Sequence, residues 1–174
     1  MYGDTITDSE LYSAKECFEK GKAYHEGNGV EQSDAEAVKW YRLAADYGDP
    51  DAQYNLGLMY YEGRGVEQSG TKAWKLFKSA ADQGHVYAQY NLGAMYYEGK
   101  VVEQSYEEAF KWFRLVADQG ESYTQYRLGL MYYEGKGVKQ SYEEASKWFK
   151  LAAEQGNADA KRALRELKII RVPN

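Results

Sequence analysis

Apolar residues recur along this chain at helical spacing, in blocks of about a dozen residues separated by short polar loops. Ala37, Trp40, Tyr41, Ala44 and Ala45 fall at i, i+3, i+4, i+7 and i+8, which is one face of an α-helix. The same five positions return as Ala73, Leu76, Phe77, Ala80 and Ala81, then as Ala109, Trp112, Phe113, Val116 and Ala117. They return once more as Ala145, Trp148, Phe149, Ala152 and Ala153. Trp74 stands two places away from the other tryptophans, so the second block packs Leu76 instead. A second type of helix is predicted between these blocks, over Pro50 to Glu62, Val86 to Glu98 and Ser122 to Glu134. No segment alternates with the period of two that a strand requires.

The blocks belong to a repeat. The text DPDAQYNLGLMYYEGRGVEQS at 49–69 returns as HVYAQYNLGAMYYEGKVVEQS at 85–105 and as ESYTQYRLGLMYYEGKGVKQS at 121–141. Gly48, Gly84, Gly120 and Gly156 are each 36 positions apart. A worn copy opens the chain with Gly21, Tyr24, Gly27, Gly29, Val30, Gln32 and Ser33. A fixed period of this length marks a solenoid, in which each unit buries its apolar face against its neighbours. The reading is therefore an all-α protein, an α/α solenoid forming one repeat domain over 1–174. Residues 9–33 make an N-terminal half-repeat or cap, 34–69, 70–105 and 106–141 are full repeats, and 142–174 is a last repeat with a polar cap helix.

Local signals agree with that partition. Residues 1–8 read as a frayed start, and Ser9 to Glu26 as a helix offering Leu11, Ala14, Phe18 and Ala23 for packing. Ser33, Ser105 and Ser141 stand three before Glu36, Glu108 and Glu144, the capping-box spacing, whereas Ser69 is followed by Lys72. The glycine after each tryptophan-type block suits a left-handed C-terminal cap, and Pro50 suits a first helical turn. Gly21, Gly57, Gly93 and Gly129 sit inside helices, where each costs about 1 kcal/mol against alanine. Four in register suggest that another helix backbone comes close there. After Asn157 the tyrosines disappear, and Lys161, Arg162, Arg165 and Lys168 place a charged face where a further repeat would dock.

The unit A-x-x-W-[YF]-x-x-A-A-x-x-G, followed by A-Q-x-x-L-G-x-x-Y-x-x-G-x-G-V, resembles the Sel-one-like repeat family, a cousin of the tetratricopeptide repeat. The match runs from about residue 14 to 168, with Val101, Val116, Thr124 and Lys161 as departures. The resemblance implies antiparallel helix pairs in a right-handed superhelix, acting as an adaptor in protein complexes. Members serve endoplasmic-reticulum quality control and bacterial signalling, secretion and host contact. Some secreted relatives staple each unit with a cysteine pair, and Cys17 is the only cysteine in this chain.

Charge and composition narrow the partner. The net charge is −5 and the pI about 5.2, which disfavours a nucleic-acid backbone as ligand. Tyrosine numbers 18 against 5 phenylalanines, an excess suited to a half-wet contact surface. The N-terminus lacks a charged and an apolar signal region, so a cytoplasmic protein is expected as written, or a periplasmic or secreted one if that end has been trimmed. No run is long enough to cross a bilayer, and a monomer is expected.

Candidate chemistry is sparse. The Gly-x-Gly triplets follow helices and lack a following Lys-Ser/Thr, so they read as loop glycines and not as a phosphate cradle. His25 and His85 stand alone, without the companions a metal site needs, and no cofactor is called for. Lys39, Lys75, Lys111 and Lys147 form one row and Arg42, Lys78, Arg114 and Lys150 a second, four residues before Asp46, Asp82, Asp118 and Glu154, and the two rows read as a solvated convex face. The glutamates Glu26, Glu62, Glu98 and Glu134 recur once per unit, a spacing unlike a catalytic dyad. In the tetratricopeptide-like arrangement the Leu-Gly helices line the concave side, with Leu56, Gly57 and Tyr60 in the core. That turns Asp51, Tyr54, Leu58, Tyr61 and Glu62 to the groove, then Tyr87, Tyr90, Ala94, Tyr97 and Glu98, then Tyr123, Tyr126, Leu130, Tyr133 and Glu134. A groove of this composition would hold a segment of another protein. The competing functions are an enzyme acting on cell-wall glycans through the acidic ladder, and a plain structural spacer.

Overall fold

Every element in the computed structural model, which describes residues 12–170, is helical. In chain order these are α1 (Ala14–Glu26), α2 (Asp34–Asp46), α3 (Pro50–Glu62), α4 (Gly70–Asp82), α5 (Val86–Glu98), α6 (Tyr106–Asp118), α7 (Ser122–Glu134), α8 (Tyr142–Glu154) and α9 (Ala158–Ile170). The all-α helical repeat fold expected from the periodicity is what forms. The expected ends of α3, α5 and α7 coincide with the observed ones. The first helix, expected from Ser9, begins only at Ala14: Tyr12 and Ser13 are not helical, and Ser13 is extended and serves as its N-cap. The packing role of Leu11 and the Lys168 side chain lie outside the described residues.

Serine begins five of these helices, but the reciprocal cap is rarer than its spacing suggests. Ser33, Ser69, Ser105 and Ser141 accept the backbone N–H of residues 36, 72, 108 and 144 at 3.2–3.3 Å. The expected glutamate half of the box does not form at Ser33, Ser105 or Ser141. Glu36, Glu108 and Glu144 turn instead to Lys39, Lys111 and Lys147, at 2.5, 2.5 and 2.7 Å. In each of the three, the lysine stands on the next turn, three residues after the glutamate, within reach of its carboxylate. The complete box is at Ser13, whose hydroxyl accepts from Glu16 N–H while Glu16 Oε2 accepts from Ser13 N–H at 2.8 Å. At the other end, Gly48, Gly84, Gly120 and Gly156 adopt φ between +88° and +95°, the left-handed turn that closes a Schellman motif.

The chain divides into two compact units, Met1–Ala88 and Gln89–Asn174. In the first, Tyr41 and Phe77 are buried and lie against the mid-helix glycines of the preceding helix. A methyl group on Gly21 would stand 2.6 Å from Tyr41 Cδ1, and one on Gly57 2.7 Å from Phe77 Cε1. In the second, Gly93 faces Phe113 at 2.6 Å and Gly129 faces Phe149 at 2.5 Å in the same sense. The sequence suggested a neighbouring backbone at these glycines. What they admit is a buried aromatic ring, which lies on the helix where a Cβ would have held it off.

Around these rings the second unit has two clusters. Phe113 packs with Ala109, Ala117, Leu128, Met131 and Trp148, and Phe149 with Ala145, Ala152, Ala160 and Leu167. The buried glutamines are paired. The buried Gln53 amide donates to the Ala45 carbonyl and accepts from Gln83 at 2.9 Å. Gln125 likewise donates to Ala117 and accepts from Gln155, at 3.2 and 2.9 Å. Gln119 donates to Gln89 at 3.1 Å. Each buried amide therefore keeps a partner, as buried polar groups must.

Candidate functional site: an aromatic face on the Leu-Gly helices

The Leu-Gly helices α3, α5 and α7 begin and end on devices that hold their tyrosines in place. Their caps come from whatever residue follows the turn glycine: Asp49 accepts from Ala52 N–H, His85 from Ala88 N–H and Glu121 from Thr124 N–H. Asn157 does the same for Ala160 at the start of α9. At the C-terminal ends, Gln68, Gln104 and Gln140 reach back from the loop. They donate to the backbone carbonyls of Tyr61, Tyr97 and Tyr133 at 2.7–2.8 Å. Those carbonyls have no partner within the helix, so the glutamine ties each loop to the residue that carries the ring.

In the first unit, Tyr54 is half-buried, its ring 5.8 Å from that of Phe77 and stacked on His85 at 4.5 Å. His85 Nδ1 accepts the Ala88 N–H, which leaves Nε2–H to donate to Asp51 at 3.2 Å. The imidazole is thus committed to capping and stacking. Tyr87 stands 6.0 Å from Tyr54 and is 66% exposed, while Tyr61 is 41% exposed. Leu58 is half-buried, and Glu62 is exposed and paired with Arg64 at 2.6 Å.

The second unit is more crowded. Tyr90 lies 5.6 Å from Phe113 and 6.2 Å from Tyr123, which is 49% exposed. Tyr97 meets Tyr106 edge-on at 5.1 Å, Tyr126 lies 5.6 Å from Phe149, and Tyr133 is 5.3 Å from Tyr142. Ala94 and Leu130 are half-buried. Glu98 and Glu134 are exposed, but each pairs with the lysine two places on, Lys100 at 3.0 Å and Lys136 at 2.8 Å. The recurring carboxylates are therefore offset by their own loops, through surface pairs of small energetic weight.

Two features of this face distinguish tyrosines that the sequence pattern groups together. Tyr54, Tyr90 and Tyr126 brace the buried ring of the next helix, so they serve the core with one side and the surface with the other. Tyr87 and Tyr123, near the helix starts, expose more of their rings than the residues expected to form the rows. Cations also enter the face. Arg127 lies over Tyr97 at 5.3 Å, Phe113 at 5.1 Å, Tyr123 at 5.8 Å and Tyr90 at 5.9 Å, and its Nη1 donates to Tyr90 Oη at 3.1 Å. Burial raises the Tyr90 phenol above its usual range, and the Arg127 charge partly offsets this. Lys136 donates to Glu134 and to Tyr97 Oη, and both bonds hold its ammonium well above the ordinary lysine range. The readable signal for Arg127 was its register: Asn55 and Asn91 hold that place in the other copies.

Among the described residues, no group of three or more His, Cys, Asp or Glu side chains could hold a metal ion. Nor is any helix there long and apolar enough to cross a membrane.

Capped helices repeating every 36 residues, each packing an aromatic ring onto a glycine of the helix before it, define an α-helical repeat protein. The Sel1 repeat model matches residues 13–49, 50–85, 86–121 and 122–157, and the chain belongs to the Sel1 repeat family. Among solved structures it resembles a protective antigen of uropathogenic Escherichia coli displaying an SLR fold, at 40% identity and a TM-score of 0.84 over 87% of this chain. A Sel1 repeat protein from Oxalobacter formigenes matches at 32% identity and 0.86 over 92%. The chain spans 32% of the first protein's length and 66% of the second's. An immunity protein of Pseudomonas aeruginosa shares the fold at 23% identity, with a TM-score of 0.51 over 90% of this chain and 62% of that one. Sel1 repeat proteins are in general interaction modules that bind other proteins and do not catalyse reactions.

Proposed function

We propose that this chain is a non-enzymatic protein-binding module that holds a segment of another protein against the tyrosine face of its Leu-Gly helices. The observation that carries the reading is the exposure of Tyr61, Tyr87 and Tyr123 on helices whose opposite sides are buried. A large aromatic ring left wet on a rigid, capped helix is the usual form of an interface anchor. It supplies contact area at little cost in rotamer entropy. The neighbouring residues Tyr54, Leu58, Tyr90, Tyr97, Tyr126, Leu130 and Tyr133 extend that surface, and Glu62, Glu98 and Glu134 with their cations form a polar rim. An adaptor or immunity-type role, positioning or neutralising one partner, suits such a surface, and a Pseudomonas aeruginosa protein sharing the fold is an immunity protein.

Site-specific photo-crosslinking tests the assignment. A photoreactive phenylalanine at Tyr87 or Tyr123 should trap a discrete protein adduct in the producing cell, and the same residue at Lys75 or Lys111 should not. Adducts confined to the lysine positions would move the site to the other face.

A further inference from the structure

The second unit contains one ring pocket twice, and the two copies differ in a way that assigns a ligand to one of them. Tyr90, Tyr97 and Phe113 surround the guanidinium of Arg127 from α7. Thirty-six positions on, the same three places are Tyr126, Tyr133 and Phe149, and the place of Arg127 is taken by Ala163 of α9. Alanine cannot reach the rings. A cleft of about 80 Å³ stands there, lined by Tyr126, Tyr133 and Phe149 on one side and by Ala163 with its neighbours on the other.

The residues flanking the two central positions have also changed. Four before and three after Arg127 stand Tyr123 and Leu130. Four before and three after Ala163 stand Asp159 and Glu166, both lining the cleft. Arg162 is on the same wall and is held by Asp159 at 2.5 Å, which leaves the wall with one net negative charge. The second copy has thus lost its internal cation and gained two carboxylates beside the rings. Burial, then Asp159, with Glu166 further down, holds the Tyr126 phenol above its usual range, while Arg162 opposes them.

We propose that the cleft above Ala163 receives an arginine side chain from the protein segment bound on the tyrosine face, in the manner of Arg127 one repeat earlier. This rests on the reading of that face as protein-binding and names the chemistry of one contact. A guanidinium suits the site because its flat face stacks on aromatic rings while its edge donates to a phenol or a carboxylate. Arg127 shows both contacts within this protein, over four rings and onto Tyr90 Oη. In the second copy the phenol is that of Tyr126 and the carboxylates are Asp159 and Glu166.

The test uses end-blocked Gly-Arg-Gly as probe, titrated into the full chain while the aromatic resonances of Tyr126, Tyr133 and Phe149 are followed. Saturable shifts at these rings are expected, with binding roughly tenfold weaker for the neutral citrulline analogue. Ala163→Arg, which repeats the residue pattern of the preceding copy, should abolish the shifts. Glu166→Gln should weaken binding without changing the fold. Arg127→Ala should add a second set of shifts at Tyr90 and Tyr97. Absence of saturable shifts, equal binding of the citrulline peptide, or full binding to the Ala163→Arg chain would each overturn the proposal. If the probe fails while Tyr87 and Tyr123 still crosslink a protein, the arginine contact falls and the binding face stands. If the probe binds but only the lysine positions crosslink, the pocket stands and the face falls.

Discussion

Replacing Gly93 by alanine sets two effects of known size against each other. In an ordinary helix interior the change would stabilise by about 1 kcal/mol, because alanine loses less backbone freedom than glycine. Here the new methyl would stand 2.6, 2.7 and 3.2 Å from Cε1, Cδ1 and Cγ of Phe113. Two of those contacts are shorter than carbon atoms tolerate, and Phe113 is wholly buried, with no open side to retreat to. Overpacking of this kind costs about 1–3 kcal/mol, and three close ring atoms place it toward the upper end. The net expectation is a loss of about 1–2 kcal/mol, read as a lower urea midpoint for the helical circular dichroism signal. A second variant isolates the cause. With Phe113→Leu already present, Gly93→Ala should cost less or even stabilise, giving a coupling of about 1 kcal/mol or more. A midpoint that rises on Gly93→Ala alone would refute the ring-on-glycine account of the fold.

Other outcomes follow from the same packing. Burial, followed by Glu26, raises the Tyr41 phenol from its ordinary range to about 12. Below pH 10 the phenol is neutral in both the folded and unfolded chain. Above it the unfolded chain ionises first, so stability should fall between pH 10 and about 12, by at most about 2–3 kcal/mol. Tyr41→Phe, the residue type at the matching positions 77, 113 and 149, should flatten that part of the pH profile; parallel curves for the two proteins would count against it. Removing residues 157–174 uncovers Phe149 and Ala152, which pack against Ala160 and Leu167, so thermal stability should drop or the chain associate. An unchanged melting temperature with a clean monomer would show that α9 is no cap.

Legibility followed periodicity. The bounds of α3, α5 and α7, the turn glycines and the alanine and aromatic stripe of α2, α4, α6 and α8 are all consequences of one repeated spacing, and they form as expected, whereas α1, outside the full repeats, starts at Ala14 and not at Ser9. Contacts that depend on three-dimensional neighbours did not follow from spacing alone. The glutamates of Ser33, Ser105 and Ser141 satisfy the capping-box pattern, yet a lysine three residues further on captures them. The mid-helix glycines signalled a close approach without revealing that a ring makes it. The glutamines of the A-Q pairs and of the loops recur as plainly as the tyrosines, but their partners are buried amides and helix-end carbonyls, which only the fold brings within reach. Arg127 and Ala163 break the repeat text, and departures from a repeat say more about a site than its consensus does.

The claim on which the function rests is that the tyrosine face binds the partner, and paired substitutions against that partner measure it most directly. With the crosslinked protein in hand, isothermal titration of Tyr97→Ala/Tyr133→Ala should show binding weakened by at least about 2 kcal/mol, roughly thirtyfold, with the helical spectrum retained. Lys75→Ser/Lys111→Ser should bind as the unaltered chain does. Full affinity in the tyrosine pair, together with lost affinity in the lysine pair, would contradict the account and place the partner on the opposite face.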